Sequence, residues 1–455
     1  MPATTATQRL GKFIARTGNE DLAPDLAGKA AMCVLDAIGL ALLAKNDEPA
    51  VAARSLAVEA AGRSGAATLW VDGKLVSASD AAFINGVAAH ARLQDDTDHD
   101  SWAHPGSLVV PSVLACAETL DLGLPQTLRA IATGYATIQW LAVGEEVSRR
   151  LIARGLRTSA TLGSMGAAAG CATALQLDAR QAQSAVGIAA STTGGTLEPI
   201  RCGSDEWRAQ NGRAAQGGYM AAMLARQGFF GAPHALEGPK GFLQAYPAMD
   251  APPAGWASDP DLASLRKIMA KPFATAGDNM ASACAAQMAY RKGIDPRRVR
   301  EVEVSQWRPY TEYPGTSFKG PYTTPVQAQV SSCFSVCAML VFGDLSYETV
   351  RSERSNDLVN ALVGKTRITP HDGTHLQSKV SVTMDDGEVI VGDSEDADPK
   401  LIFQDAARAI SVFEARLVGA GRAAGQGDRM ASKVLAAARS GESISIRAIL
   451  AELAS

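Results

Sequence analysis

The chain has 455 residues, of which 47% are hydrophobic and 20% are charged, and its formal net charge is -4 at pH 7. A chain of this length can bury a large core and predicts two domains or more. The mixed, slightly acidic charge excludes the basic field of a nucleic-acid-binding protein and the polybasic patch of a membrane-surface protein. We therefore expect no nucleic-acid partner and no membrane partner.

Helical spacing of apolar residues dominates the first half of the chain. The segment 159–175 consists mostly of small residues, which favours a tightly packed buried helix over a membrane span. A hairpin with an Asp-Gly turn is predicted within residues 68–76. The predicted helices cover residues 21–44, 49–61, 79–91, 108–119, 125–147, 160–175, 178–191 and 209–227.

The pattern changes after about residue 258. Alternation of apolar and polar residues predicts strands at 300–307 and within 377–392, whereas helical spacing recurs at 278–291, 326–342 and in the tail 406–454. We therefore predict a mainly α protein. Its large all-helical domain is formed by both chain ends, residues 1–261 and 398–455, and a smaller α+β domain, residues 262–397, is inserted between them.

The seven cysteines are odd in number, and most of them lie in apolar, alanine-rich segments. This pattern favours the buried, reduced thiols of a cytoplasmic protein over a disulfide framework. The first eleven residues lack the apolar core of a signal peptide. We therefore expect a cytoplasmic location.

One short segment concentrates side chains that can do chemistry. Residues 95–104 contain four carboxylates and two histidines, and such carboxylates repel one another unless a cation lies among them. A calcium loop starting at Asp96 would need Gly where Ser101 stands and Glu where Ser107 stands, so we predict no metal. The alternatives are a solvated acidic loop and a proton-handling site around His104.

Five motifs, in order and spread over nearly the whole chain, resemble the signatures of the MmgE/PrpD superfamily. This superfamily includes 2-methylcitrate dehydratases, cis-aconitate decarboxylases and iminodisuccinate epimerases. The motifs are Asn85-Gly86…His90…Asp95-Asp96…His104-Pro105-Gly106…Val110-Pro111, Gly155-Leu156-Arg157-Thr158-Ser159…Gly163, Gly212…Ala214-Ala215…Gly217…Gly228-Phe229, Lys271-Pro272-Phe273, and Pro325…Ala328-Gln329…Ser331…Gly343.

The resemblance implies the two-domain architecture described above, commonly a homodimer, and reactions that begin by removing a proton next to a carboxylate. It also implies that no metal and no organic cofactor takes part. Such chemistry needs a base with a pKa near neutrality, and cationic or dipolar groups that hold carboxylates and the developing enolate-like charge.

The catalytic candidates are His104, Lys271 and Asp95. His104 stands where the superfamily places its reactive loop histidine, and a histidine that merely caps the following helix is the alternative. Lys271 precedes Pro272, which favours extended backbone. A buried lysine there would act as a base with a lowered pKa or would bind a carboxylate, whereas a surface lysine would do neither.

The candidates for carboxylate binding lie at the start of a predicted helix. Arg157 offers paired N–H donors, and Thr158 and Ser159 add hydroxyls beside a helix N-terminus that favours an anion. Simple capping of the helix is the alternative. Arg208 and Arg201, which flank a turn, are weaker carboxylate candidates, with ordinary surface arginines as the alternative. Asp96 and Tyr313, the latter beside Tyr310, complete the substrate-binding candidates.

Three positions depart from the superfamily pattern: Leu93 replaces an acid, Arg157 a histidine and Trp207 a lysine. The departures leave the reaction open. Our leading hypothesis is a hydro-lyase that acts on a small hydroxylated di- or tricarboxylate, in which His104 and Lys271 share the acid-base work. The alternatives are an epimerase or isomerase of a dicarboxylate, a decarboxylase, and a non-catalytic carboxylate-binding protein.

Overall fold

The computed structural model describes residues 4–58 and 66–454. A helical assembly occupies the first half of the chain, and the hairpin of β1 (Ala66–Thr68) and β2 (Leu75–Ser77) is inserted before its fourth helix. The helices are α1 (Ala6–Thr17), α2 (Pro24–Leu43), α3 (Glu48–Arg54), α4 (Ala78–His90), α5 (Pro105–Leu120), α6 (Leu124–Ala142), α7 (Glu146–Ala153), α8 (Thr158–Ala174), α9 (Ala179–Thr192), α10 (Glu198–Cys202), α11 (Glu206–Arg226) and α12 (Phe242–Ala245).

A four-stranded sheet lies in the second half, in the order β4-β3-β5-β6. Strand β3 (Val299–Trp307) is parallel to β4 (Thr366–His371) and antiparallel to β5 (Lys379–Met384), which pairs with β6 (Val389–Asp393). The remaining helices are α13 (Met280–Tyr290), α14 (Arg308–Thr311), α15 (Pro325–Val330), α16 (Ser332–Phe342), α17 (Tyr347–Glu353), α18 (Asp357–Gly364), α19 (Ala406–Gly419), α20 (Gln426–Ser440) and α21 (Ile446–Ala454).

Two large hydrophobic clusters form the interior. The larger one joins both chain ends, because it contains residues from Leu10 in α1 to Leu453 in α21. The smaller one runs from Phe273 to Met384 and packs the sheet against α13, α16 and α18. The mainly α fold with a small α+β portion is therefore confirmed, while the domain boundaries at residues 262 and 397 remain predictions.

Small residues bring the central helices close together. Every residue of α8 is buried, and a Cβ added to Gly218 in α11 would lie 2.3 Å from the Cβ of Ala167 in α8. The predicted buried helix over 159–175 is thereby confirmed.

Helix α2 is long and apolar enough to cross a membrane, but 78% of its apolar window is buried inside the molecule. A second candidate for a membrane span would combine α16 with α17 across a bend of 98°.

Several predicted helices end elsewhere, for local reasons. The helix predicted over 326–342 is interrupted at Ser331, which leaves helical geometry and whose side chain caps α16 by accepting from Phe334 N at 3.0 Å. The helix predicted over 125–147 ends at Ala142, because Val143 adopts a left-handed φ of 51°. The helix predicted over 49–61 ends at Arg54, and residues 59–61 lie outside the described part of the chain.

Candidate active site

His104 is held as a neutral imidazole at the start of α5. Its backbone N–H donates to Ser159 Oγ at 3.1 Å, and its Nδ1 lies 3.1 Å from the carbonyl oxygen of Asp96. A carbonyl only accepts, so this contact places the proton on Nδ1 and leaves the lone pair on Nε2. Burial, followed by the nearby Lys271 cation, lowers the pKa of His104 well below its usual value. The side chain makes no cap hydrogen bond to α5, so the capping interpretation is wrong.

Asp96 anchors the loop that carries His104. Its carboxylate accepts from Gly106 N at 2.7 Å and from the Tyr135 hydroxyl at 2.7 Å. Burial, together with the neighbouring Asp36 carboxylate, raises the pKa of Asp96 to about 7. Both carboxylate oxygens are thus engaged within the protein, so the structure presents Asp96 as a positioning residue rather than the predicted substrate ligand.

Gly106 is required by this contact, since a Cβ there would lie only 2.7 Å from Asp96 Oδ1. We expect Gly106→Ala to lower the free energy of unfolding by about 1–3 kcal/mol, the usual range for overpacking. Urea unfolding would measure the change. Gly364→Ala is the matched control, because a Cβ there meets nothing within 4 Å. It should not lower stability, since Gly364 is helical in α18 and alanine is the better helix former. Equal stability of the two variants would contradict this role of Gly106.

A buried chain of hydrogen bonds runs from Asp95 through His90 to Arg157. His90 Nδ1 lies 2.8 Å from Asp95 Oδ2, and His90 Nε2 lies 2.7 Å from Arg157 Nη2. Burial and the Arg157 cation lower the pKa of His90 well below its usual value, so His90 donates from Nδ1 and accepts at Nε2. Asp95 also lies 3.8 Å from His104 Nδ1. Asp95 therefore orients His90 through a hydrogen bond and lies close to His104 without bonding it.

Arg157 is the cation that lines the cavity beside His104. Its Nη1 donates to Trp207 O at 2.9 Å and to Asn211 Oδ1 at 2.6 Å. Burial lowers the pKa of Arg157 to about 10, which leaves it protonated at neutral pH. A guanidinium has five N–H donors, so one donor on Nη2 and the Nε donor remain uncommitted among the contacts of the described residues. These two donors match the paired oxygens of a carboxylate.

Lys271 is buried behind this arrangement. Its side chain is 1% exposed, and Nζ donates to the carbonyl oxygens of Leu93 and Thr275. The surface-lysine alternative is therefore wrong. Burial lowers the pKa of Lys271 to about 8, and the attraction of Asp95 opposes that shift.

The cavity beside His104 has a volume of about 40 Å³. It is lined by Leu93, Thr97, Asp98, Trp102, His104, Arg157, Ser159, Ile200, Ala276, Gly277, Asp278, Tyr310, Tyr313 and Val330. A volume of this size holds little more than water, so a di- or tricarboxylate requires movement of a wall.

Four of the predicted site residues reach this cavity: His104, Arg157, Ser159 and Tyr313. The others are not among the lining residues. Thr158 donates its hydroxyl to Trp102 O, which supports the wall from behind. Arg208 donates to Ala91 O at 2.7 Å, and its guanidinium lies 4.1 Å from the Trp207 ring.

Other residues of the site escaped the sequence-based prediction. Asp278 lines the cavity, although only its position at the start of a helix could be inferred from the sequence. Tyr310, which was a candidate beside Tyr313, lines the cavity as well. His90 appeared in the motif without a role. The interpretation of residues 95–104 as a solvated loop is wrong, because Asp95, Asp96 and Asp98 are buried.

The three departures from the superfamily pattern lie together. Leu93 and Trp207 belong to one hydrophobic cluster, and Arg157 bonds the Trp207 carbonyl and lies 5.9 Å from its ring centroid. Leu93 has a left-handed φ of 52°, and its carbonyl accepts from Lys271 Nζ. The three substitutions therefore form one packed unit at the edge of the cavity.

His90, Asp95 and His104 form a group whose potential metal-ligand atoms lie within 4.8 Å of one another. The surroundings do not suit a metal ion. His90 Nε2 already accepts from the Arg157 cation at 2.7 Å, and Lys271 is close enough to lower the pKa of both histidines. A metal ion would have to displace these hydrogen bonds beside two buried cations.

Comparisons of the sequence with known proteins show which family and which relatives the chain resembles. The MmgE/PrpD N-terminal domain model matches residues 8–252. The chain is 23% identical over 417 residues to the cis-aconitate decarboxylase-like protein oryM of Aspergillus oryzae, and the match covers 86% of each chain. Cis-aconitate decarboxylases of Homo sapiens and Mus musculus are 30% and 31% identical over 175 and 176 residues, which is 36% of this chain and 34% of theirs.

Proposed function

Because this chain belongs to the MmgE/PrpD family, we propose that it is a lyase that eliminates water from a small hydroxylated di- or tricarboxylate. The reaction begins with removal of the proton on the carbon next to a carboxylate. One observation carries the proposal: neutral His104, with Nδ1 bound to Asp96 O, shares a small cavity with the Arg157 cation.

His104 is the base in this proposal. With its proton on Nδ1, the imidazole can accept the α-proton only at Nε2. The low pKa keeps His104 unprotonated at neutral pH but also makes it a weaker base. The fixed donors of the buried site compensate for this weakness, because they stabilise the negative charge that develops on the substrate.

Arg157 and Ser159 bind the substrate carboxylate beside the departing proton. The two uncommitted N–H donors of Arg157 form the paired contact. Both residues lie at the start of α8, where the helix dipole adds positive potential. As the proton leaves, negative charge grows on the carboxylate oxygens, and these donors stabilise it most in the transition state.

Lys271 acts through His104 in this proposal, because its amine is buried behind the cavity wall. We expect Lys271→Met to move the acidic limb of the pH–rate profile to higher pH. The cation lowers the pKa of His104, so without it His104 becomes protonated, and inactive as a base, at a higher pH. Rates of α-proton exchange measured from pH 4 to 9 would show the movement.

Lys267→Met is the control for that experiment, since Lys267 is a more exposed cation that pairs with Asp100 at 3.0 Å. Its acidic limb should coincide with that of the unmodified protein. A Lys271→Met profile that also coincides would remove Lys271 from the proposed mechanism.

Decarboxylation is the second candidate. The relatives described above are named cis-aconitate decarboxylase or cis-aconitate decarboxylase-like, and part of the cavity wall is apolar, formed by Leu93, Ile200 and Val330. An apolar wall favours a departing neutral CO₂ over a bound carboxylate.

Epimerisation or isomerisation of a dicarboxylate is the third candidate, since it needs the same proton abstraction without a leaving group.

One experiment separates these reactions. Citrate-like, tartrate-like and aspartate-like acids would be incubated with the protein in deuterated water and followed by NMR. An unsaturated product without CO₂ supports the hydro-lyase, CO₂ release supports the decarboxylase, and deuterated substrate of inverted configuration supports the isomerase. Binding of an acid without any exchange would support a non-catalytic carboxylate-binding protein. The proposal also includes a homodimer in the cytoplasm that works without a cofactor.

A further inference from the structure

Asp278 lies on the cavity wall, just before α13. Its backbone is firmly held, because its carbonyl accepts from Gln306 Nε2 at 2.9 Å and the adjacent Asn279 side chain donates to Gln329 O at 3.1 Å. Gly277 packs closely, since a Cβ there would lie 3.0 Å from Thr97 Oγ1. The side chain is therefore presented to the cavity from a rigid support.

The Asp278 carboxylate differs from the other acids around the cavity in having no side-chain hydrogen-bond donor among the described residues. Its hydrogen bond comes from its own backbone N–H. Asp98, the other acid on the wall, accepts from Ser101 N at 2.8 Å and from Gln139 Nε2 at 2.9 Å. The carboxylates of Asp95 and Asp96 are committed to His90 and to the α5 cap. Asp278 is thus the uncommitted acid of the cavity.

We infer that Asp278 is the acid of the proposed elimination, an inference that rests on the proposed function. His104 Nε2 takes the α-proton, and the electron pair of the broken C–H bond forms the new C=C bond. The C–O bond to the β-hydroxyl breaks, and the hydroxyl leaves as water with the proton of Asp278. One proton is gained by His104 and one is lost by Asp278, and exchange with solvent restores both.

The protonation state required of Asp278 agrees with its surroundings. Burial raises the pKa of Asp278 to about 7, while attraction to Lys271 and His99 opposes the rise. A substantial fraction therefore carries the proton at neutral pH, and that fraction is lost as the pH rises through 7. The titratable and charged groups around Asp278 and its cavity are Lys271, His99, Asp98, Tyr310, Tyr313, His104 and Arg157.

The role also accounts for Leu93. At this position the superfamily pattern has an acid, and an apolar residue cannot protonate a leaving group. Asp278 lines the same small cavity as Leu93. In this proposal Asp278, just before α13, supplies the acid that is missing at the position of Leu93.

The test compares Asp278→Asn and Asp278→Glu with the unmodified protein in deuterated water, using the acid that the screen identifies. In Asp278→Asn we expect formation of the unsaturated product to fall by about 10²–10⁴-fold, the usual contribution of a general acid, while deuterium exchange at the α-carbon persists. The decline of product formation above pH 7 should disappear in Asp278→Asn. Asp278→Glu should recover part of the rate.

Asp100→Asn is the matched control, because Asp100 lies on the neighbouring loop and pairs with the more exposed Lys267; both of its rates should be unchanged. Undiminished product formation in Asp278→Asn, or an equal loss of exchange and product in a variant of unchanged thermal stability, would overturn the inference while the proposed function stands. Absence of both exchange and product in the unmodified protein would overturn the two together.

Discussion

His104→Asn should reduce α-proton exchange by about 10²–10⁴-fold, the range that general-base catalysis contributes. The asparagine amide can still donate to Asp96 O in place of the histidine Nδ1–H, whose contact is 3.1 Å, so the loop keeps its shape. The variant has no group that accepts the α-proton. Exchange into deuterated water measures the loss directly, without depending on the later step of the reaction.

The control for that variant is His234→Asn. The His234 side chain is 57% exposed and lies 3.1 Å from Glu237. Neither residue is among those that line the cavity. Its exchange rate should equal that of the unmodified protein. Retention of full exchange in His104→Asn, at unchanged thermal stability, would assign the base to another residue and remove the observation on which the proposed function rests.

Arg157→Lys should weaken carboxylate binding by about 10–150-fold, because a charged hydrogen-bonding contact contributes about 1.5–3 kcal/mol. Lysine keeps the charge but lacks the planar pair of donors. The shorter reach also leaves Trp207 O or Asn211 Oδ1 without its present donor, so the melting temperature should fall. Calorimetric titration with succinate, which has no hydroxyl to eliminate, would measure binding separately from turnover.

Arg201→Lys serves as the comparison, since the Arg201 side chain is 67% exposed and pairs with Glu198. It should bind succinate as the unmodified protein does. If Arg157→Lys also binds succinate with unchanged affinity, the carboxylate is held elsewhere, and the two uncommitted donors of Arg157 serve only the protein.

The cavity beside His104 is too small for a di- or tricarboxylate, so substrate can reach His104 only if a wall moves. The loop that carries His104 is joined to the segment just before Lys271 through Thr97, which exchanges two hydrogen bonds of 2.9 Å with Met269. His99 on the same loop stacks on His375 at 3.5 Å between ring centroids. A movement of this loop would therefore change its contacts with the second half of the chain.

Local patterns in the sequence predicted the helical character of the chain and three of the four strands of the sheet, β3, β5 and β6, but missed β4. The resemblance to the superfamily motifs added His104, Arg157 and Ser159 as candidates. These features depend on periodicity, turns and motif spacing, which operate over a few residues. The same patterns failed where a single residue left the expected geometry, as Ser331 and Val143 do.

Only the tertiary structure decided which polar side chains contact one another and which are buried away from water. Burial within the packed fold lowers the pKa of Lys271 to about 8 and raises the pKa of Asp278 to about 7. The same packing places Arg208 where it donates to Ala91 O, and Asp96 where its carboxylate accepts from Gly106 N at the start of α5. His90 meets Arg157 across 67 positions of sequence. Such pairings follow from long-range packing and desolvation, for which residue order carries no local signal.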